Sequence, residues 1–188
     1  AVVERRLLVA LGIAFLVGMT CYWYQITNNR AGGDIAWPLC AAQALLNGND
    51  PYACSLGSHL PTNMLPTALL VIPITFLEPN FAASLMIAAS TALLVWGLLH
   101  DGAYWRLLLL LAFPFWHCVQ VANWTILLVA VAFLPWLYPL LIVKPHAAIP
   151  VAFNRFSLRG IMIGSGIIVL AFVILPDWPM RWWMTAQS

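Results

Sequence analysis

The chain has 188 residues, of which 63% are hydrophobic and 7% are charged, and its mean hydropathy is +0.91. A soluble domain carries about 25% charged residues, so this composition predicts an integral membrane protein. The net charge of +2 is scattered along the chain, which argues against a nucleic-acid partner, because phosphate-backbone binding needs a clustered basic face. The apolar runs are unbroken, and they predict an all-α, polytopic helix bundle forming a single membrane domain over residues 1–188.

The first predicted element is a transmembrane helix over residues 7–26, which is long enough at about 1.5 Å per residue to cross roughly 30 Å of hydrocarbon. Arg5 and Arg6 precede it and favour a cytoplasmic N-terminus, in what we expect to be a bacterial cytoplasmic membrane. A cleaved signal peptide is the alternative, but the run is longer than a typical signal-peptide core and no small-residue cleavage site follows it.

Residues 27–80 are predicted to form an extracytoplasmic first loop that carries juxtamembrane helices. The stretch 33–52 opens on two glycines and Asp34, continues as an amphipathic helix, and closes on a dense cluster of turn residues. Residues 64–77 are apolar but contain Pro66 and Pro73, and they are shorter than the roughly 20 residues of a full crossing. We therefore expect them to form a juxtamembrane or dipping helix.

Later spans are predicted over residues 81–99 and 104–118, and the second should break at Phe113-Pro114-Phe115 because proline removes a backbone donor. Residues 124–153 contain four prolines, so we expect a broken, re-entrant pair of short helices with Lys144 near its tip. A final span over residues 160–175 leads to an interfacial segment over 177–183, whose indoles suit the depth of lipid headgroups.

Two of the four cysteines, Cys40 and Cys54, lie in the loop assigned to the outside. An oxidising compartment would allow a disulfide between them, closing a loop of about 15 residues. The alternative is that each acts as a small hydrophobic side chain in an interfacial helix. The sequence leaves both readings open.

No stretch matches a phosphate loop, a dinucleotide-binding fingerprint, a paired-cysteine zinc site or a nucleophile elbow, so no cofactor or metal is expected. Lys144 is the only lysine, and it lies between apolar runs. An ionisable residue in such surroundings is a functional candidate. Gly160, Gly164 and Gly166 instead fit close packing between helices.

Several short stretches of the chain form a recognisable series, namely Gly33-Asp34, 41–48, Asp50-Pro51-Tyr52, 60–66, 119–123 and Lys144-Pro145-His146. In these residues and their order the chain resembles the polyprenyl-phosphate-mannose-dependent mannosyltransferases, glycosyltransferase family 87, within the C-type glycosyltransferase superfold, and the loop around Asp34 resembles their first extracytoplasmic loop. The family shows Gly-Gln-x-Asn where this chain has one extra residue between Gln120 and Asn123, and the chain is about half the expected length, corresponding to the N-terminal half.

The resemblance implies an inverting enzyme that transfers a mannose-like sugar from a polyprenyl-phosphate carrier to an extracytoplasmic acceptor. Asp34 would be the general base, and Lys144 would stabilise the leaving phosphate with His146 as an added donor. Gln120, Asn123 and Tyr52 would bind substrate. The expected partners are membrane lipids, the polyprenyl-phosphate-linked sugar and other membrane subunits.

A second interpretation is a non-catalytic, glycosyltransferase-like subunit of a larger membrane complex. In that case Asp34 would only cap the helix over residues 35–46, and Lys144 would extend its ammonium to a headgroup. Gln120 and Asn123 would satisfy broken backbone near Pro114. The active-site interpretation makes a sharper prediction, namely that Asp34, Lys144 and the 120–123 turn converge on one lateral, lipid-accessible cavity.

Overall fold

The computed structural model describes residues 2–54, 63–154 and 156–187, and these residues form helices and turns with no strand among them. This confirms the all-α prediction for the described part of the chain. Residues 60–62, which belong to the stretch 60–66 used for the resemblance, lie outside the described residues. The helices are α1 (Val2–Thr27), α2 (Ala36–Leu46), α3 (Leu65–Val71), α4 (Pro79–Leu98), α5 (Phe113–Gln120), α6 (Thr125–Phe133), α7 (Pro145–Asn154), α8 (Leu158–Ile174) and α9 (Trp178–Gln187).

Two of the described helices are long and apolar enough to cross a membrane, over Val3–Thr27 and Pro79–Leu98. The pair α8 and α9, bent by 91°, adds a third if it is counted as one span. Helix α1 covers the predicted range 7–26, and α4 covers most of 81–99. Many large apolar side chains on α1 and α8 are exposed, as expected of surfaces that face lipid.

Helices α1 and α4 pack side by side in opposite directions. At one end the Arg6 guanidinium donates to the His100 carbonyl oxygen, and near the other end Gly32 lies against Pro79. Between them Gly18 is so close to Ala88 that an added Cβ would lie 2.9 Å from the Ala88 Cβ. The pair therefore has two distinct ends, and Asp34 belongs to the Gly32 end.

Prolines divide the second half of the chain into short helical pieces. A 3-10 helix over Tyr104–Leu111 ends at Ala112, so the break expected at 113–115 falls just before Phe113, with Pro114 in the first turn of α5. A second 3-10 helix, Pro135–Val143, joins α6 to α7. Gly160 and Gly164 of α8 pack closely on this segment, which confirms their predicted packing role, whereas Gly166 faces open space.

The loop after α1 is tied together covalently and by charge. Cys40 of α2 and Cys54 form a disulfide with their Cα atoms 6.1 Å apart, which confirms the bridge among the two alternatives. Arg181 of α9 donates to Asp177 at 2.7 Å and to Asp50 at 2.5 Å. Helix α9, which contains all but the first residue of the predicted interfacial segment 177–183, is thereby bonded to the disulfide-closed loop.

Candidate functional site

Three side chains from distant parts of the sequence meet at one carboxylate. Asn123 Nδ2 lies 2.6 Å from Asp34 Oδ2, and Lys144 Nζ lies 3.1 Å from the same oxygen. The Asp34 side chain is 37% exposed and that of Lys144 is 18% exposed. We call these three residues the polar cluster. Their meeting confirms the predicted convergence of Asp34, Asn123 and Lys144.

The backbone before Asp34 is shaped by two glycines. Gly32 and Gly33 have φ values of +96° and +56°, a region that favours glycine because it has no Cβ. An added Cβ on Gly33 would collide with the Val121 carbonyl oxygen, which accepts the Asp34 N–H at 2.9 Å. Only glycine therefore lets the chain come close enough for Asp34 to reach the 120–123 turn.

In the 120–123 turn, the residue before Asn123 has a strained backbone conformation. Ala122 is fully buried with φ +51°, an uncommon conformation for a residue with a Cβ. Asn123 Oδ1 accepts from the Thr125 N–H at 2.9 Å and from the Thr125 hydroxyl at 2.6 Å. Because those two donors fix the amide oxygen, the amide nitrogen is the end of Asn123 that faces Asp34.

Lys144 lies between the Pro135–Val143 segment and α7. Its carbonyl oxygen accepts the N–H groups of Ala147 and Ala148, which starts α7, and the carbonyl of Val143 accepts the Thr67 hydroxyl at 3.4 Å. Val143 itself is 1% exposed. These hydrogen bonds fix the Lys144 backbone. Because the Lys144 side chain is only 18% exposed, the attraction of its ammonium to a carboxylate is stronger than in water.

These contacts rule out two of the simpler interpretations. Asp34 does not cap the following helix, because Ile35 is the N-cap of α2 and makes no side-chain capping bond. Lys144 pairs with Asp34 and so does more than extend toward a headgroup. Asn123 does satisfy local backbone, through Thr125, but its other amide atom is used on Asp34.

The remaining candidates lie less directly on the cluster. The Gln120 carbonyl accepts a hydrogen bond from Gln25, but the Gln120 side chain makes none within the described residues. His146 lies in α7, and its side chain is outside what the structure describes.

Tyr52 is buried beside Trp37, with ring centroids 5.5 Å apart, and has no hydrogen bond to Asp34 or Lys144 in the described part of the chain. Burial raises the pKa of the Tyr52 phenol well above its usual range, although the nearby Leu65 backbone opposes this slightly. Its hydroxyl has no well-aligned partner among the described residues. Tyr52 can therefore act only as a neutral group at physiological pH.

Two apolar cavities adjoin the cluster without enclosing it. One of about 260 Å³ is lined by Pro145, next to Lys144, together with residues of α3, α7 and α8. The other, of about 250 Å³, is lined by Cys118 and Thr125. Neither of these two cavities is lined by Asp34 or Lys144, so neither is the cavity expected around the cluster.

Sequence reasoning missed Gln25 and Thr125. A glutamine within an apolar run was the available signal for Gln25, since a polar side chain there needs a partner. Thr125, two residues after Asn123, fits a local turn in which the asparagine side chain accepts from the backbone. Within residues 2–54, 63–154 and 156–187, no group of three or more histidine, cysteine or acidic side chains could hold a metal ion.

The chain was compared with known families, proteins and structures. No protein-family model, no curated protein and no solved structure matches the chain.

Proposed function

We propose that the protein is a membrane glycosyltransferase that moves a mannose-like sugar from a polyprenyl-phosphate donor to an acceptor hydroxyl, with Asp34 as general base. The observation that carries this proposal is the asymmetry of the Asp34 carboxylate. Both of its donors use Oδ2, whereas Oδ1 accepts no hydrogen bond within the described residues. A partly exposed carboxylate with one anchored and one free oxygen suits proton abstraction from a bound hydroxyl.

The proposed reaction is a single displacement. Asp34 Oδ1 removes the proton of the acceptor hydroxyl, and that oxygen forms a bond to the anomeric carbon from the face opposite the phosphate. The bond between the anomeric carbon and the phosphate oxygen breaks, and its electron pair leaves with the phosphate, so the configuration inverts. Lys144, whose ammonium lies 3.1 Å from the carboxylate, is the cation proposed to stabilise the negative charge that develops on the leaving group.

The two ends of the α1–α4 pair support an orientation for this enzyme in a bacterial cytoplasmic membrane. Arg5, Arg6 and Arg106 lie at the end opposite Asp34, which favours that end as cytoplasmic. The Cys40–Cys54 disulfide lies in the loop that carries Asp34, and disulfides persist in oxidising compartments. Both features support an extracytoplasmic site, reached by polyprenyl-linked sugars and other lipids from the bilayer.

A second candidate function is a non-catalytic subunit that binds other membrane proteins in a complex. It is favoured by the closed ion pair, in which Asp34 already neutralises Lys144 and joins two segments 110 residues apart. Such a pair could serve only to hold the fold together. The two candidates differ in whether the carboxylate is needed for a reaction or merely for its shape and charge.

The test is sugar transfer in liposomes from polyprenyl-phosphate mannose to an octyl mannoside. Asp34→Asn keeps the shape of the side chain but cannot accept the proton, so we expect transfer to fall by about 100-fold or more. Asp101→Asn, which removes the carboxylate of an exposed ion pair, is the matched control and should transfer at the wild-type rate. Full activity of Asp34→Asn, or no transfer by the wild type, would contradict the enzyme and favour the subunit.

A further inference from the structure

The polar side chain buried most completely in α1 is Gln25, which is 0% exposed. Its Nε2 donates to the carbonyl oxygen of Gln120, the last residue of α5, at 2.8 Å. The last four carbonyls of a helix lack partners within the helix and must find them elsewhere. In α5 three of these four carbonyls accept from backbone N–H groups of the turn: His117 from Val121, Cys118 from Asn123, and Val119 from Ala122. The fourth carbonyl, that of Gln120, accepts from the Gln25 side chain.

This fourth bond lies directly behind the Asp34 contacts. The turn that begins at Gln120 uses the Val121 carbonyl to accept the Asp34 N–H and the Asn123 amide to donate to the carboxylate. Between these two residues Ala122 is held at φ +51°, a conformation that persists only when its surroundings fix it. A donor that fastens the start of the turn therefore also determines where Asp34 is held.

We infer that Gln25 is a positioning residue, which fixes the 120–123 turn so that Val121 and Asn123 hold Asp34 in its orientation. The consequence for catalysis rests on the proposed function, whereas the consequence for the orientation of Asp34 does not. No direct contact between Gln25 and a substrate is needed, because its effect passes through the turn.

The amide of Gln25 is used for its donor alone. Its Oε1 is buried without a well-formed hydrogen bond among the described residues, although the Cys21 thiol, a weak donor one turn earlier, interacts with the same side chain. Methionine has a similar size and would remove this unsatisfied oxygen while leaving the Gln120 carbonyl without a donor. The two changes oppose each other in overall stability, so the variant should act mainly on the turn.

The test is amide hydrogen exchange of Gln25→Met, measured by NMR on the full chain in nanodiscs. We expect the Asp34 N–H to exchange about tenfold faster or more, since its acceptor turn is loosened. The Leu99 N–H, bonded to Val95 at the other end of α4, should be unchanged. Ser90→Ala, which removes another buried polar group, should leave both amides unchanged. Unaltered protection of Asp34 in Gln25→Met would overturn the inference.

The same variant gives a second readout in the transfer assay. A positioning role predicts about a tenfold fall in kcat with the donor KM unchanged, because binding is retained while the base is misplaced. An unchanged kcat in a variant with faster Asp34 exchange would overturn the catalytic part. If the wild type shows no transfer, the proposed function fails, and the exchange result still decides the role of Gln25.

Discussion

Two ion pairs in this protein have nearly the same length but differ in how far apart their residues lie in the sequence and in how exposed they are. Lys144 and Asp34 are 3.1 Å apart, and Arg106 and Asp101 are 2.9 Å apart. The first pair joins residues 110 positions apart in the sequence, whereas the second joins residues only five positions apart. The Asp101 side chain is 61% exposed, compared with 37% for Asp34.

The difference shows that only the Asp34–Lys144 pair depends on the tertiary structure. Arg106 and Asp101 meet because they are neighbours in the sequence, and an exposed pair of this kind contributes little to stability. Asp34 and Lys144 meet only because the Gly32-Gly33 turn and the 120–123 turn bring the chain together. Strained backbone around a partly buried pair is typical of functional sites.

The largest difference between the two ion-pair regions is expected in how much a glycine substitution beside each pair lowers the free energy of unfolding. Gly33 and Gly102, which precede Asp34 and follow Asp101, both have positive φ, but only Gly33 lies against a backbone carbonyl. We expect Gly33→Ala to lower the free energy of unfolding by about 3 kcal/mol, from left-handed strain plus the collision with Val121. Gly102→Ala has only the strain and should cost about 1 kcal/mol.

Chemical unfolding in detergent, followed by circular dichroism, measures both glycine variants. Equal losses would show that the Gly33 backbone is no more constrained than an ordinary turn. They would remove the structural distinction between the two pairs.

A smaller effect is expected from acid at the exposed pair. Hydrogen bonds, first from His100 and then from Arg106, hold the pKa of Asp101 below its usual range. A carboxyl whose folded-state pKa is depressed contributes stability above its unfolded pKa of about 3.9 and loses it as the pH falls further. Asp101→Asn should therefore be slightly less stable than the wild type at pH 6, with the difference vanishing in acid.

Melting temperatures of the wild type and Asp101→Asn between about pH 3 and pH 6 test this sign. Because Asp101 is exposed, solvent screening keeps the difference small. A gap that widens as the pH falls would contradict the hydrogen-bonded state assigned to Asp101.

The sequence was informative wherever a pattern is local. Long apolar runs predicted α1 and α4, and the prolines predicted the short pieces after Tyr104. The residues of the polar cluster were also found, because an acid after two glycines and a lone lysine in apolar surroundings stand out from their neighbours. Asp34 and Lys144 could be recognised because charged residues are rare in this sequence.

The features that could not be predicted from the sequence depend on contacts between distant segments. Gln25 is one polar residue in an apolar helix, and nothing local indicates that its partner is the carbonyl of Gln120, 95 residues away. The strained φ of Ala122 is likewise imposed by packing, since alanine has no preference for that conformation.

The most direct test of the account is the binding of polyprenyl phosphate, without a sugar, to the protein in nanodiscs. If the polar cluster is a site for a lipid-linked phosphate, Lys144→Met should weaken binding by about tenfold or more, the loss of one charge-assisted hydrogen bond. Arg106→Met, which removes the cation of the exposed pair, should bind as the wild type does. Equal binding by all three proteins would contradict the account and leave the ion pair as a structural link.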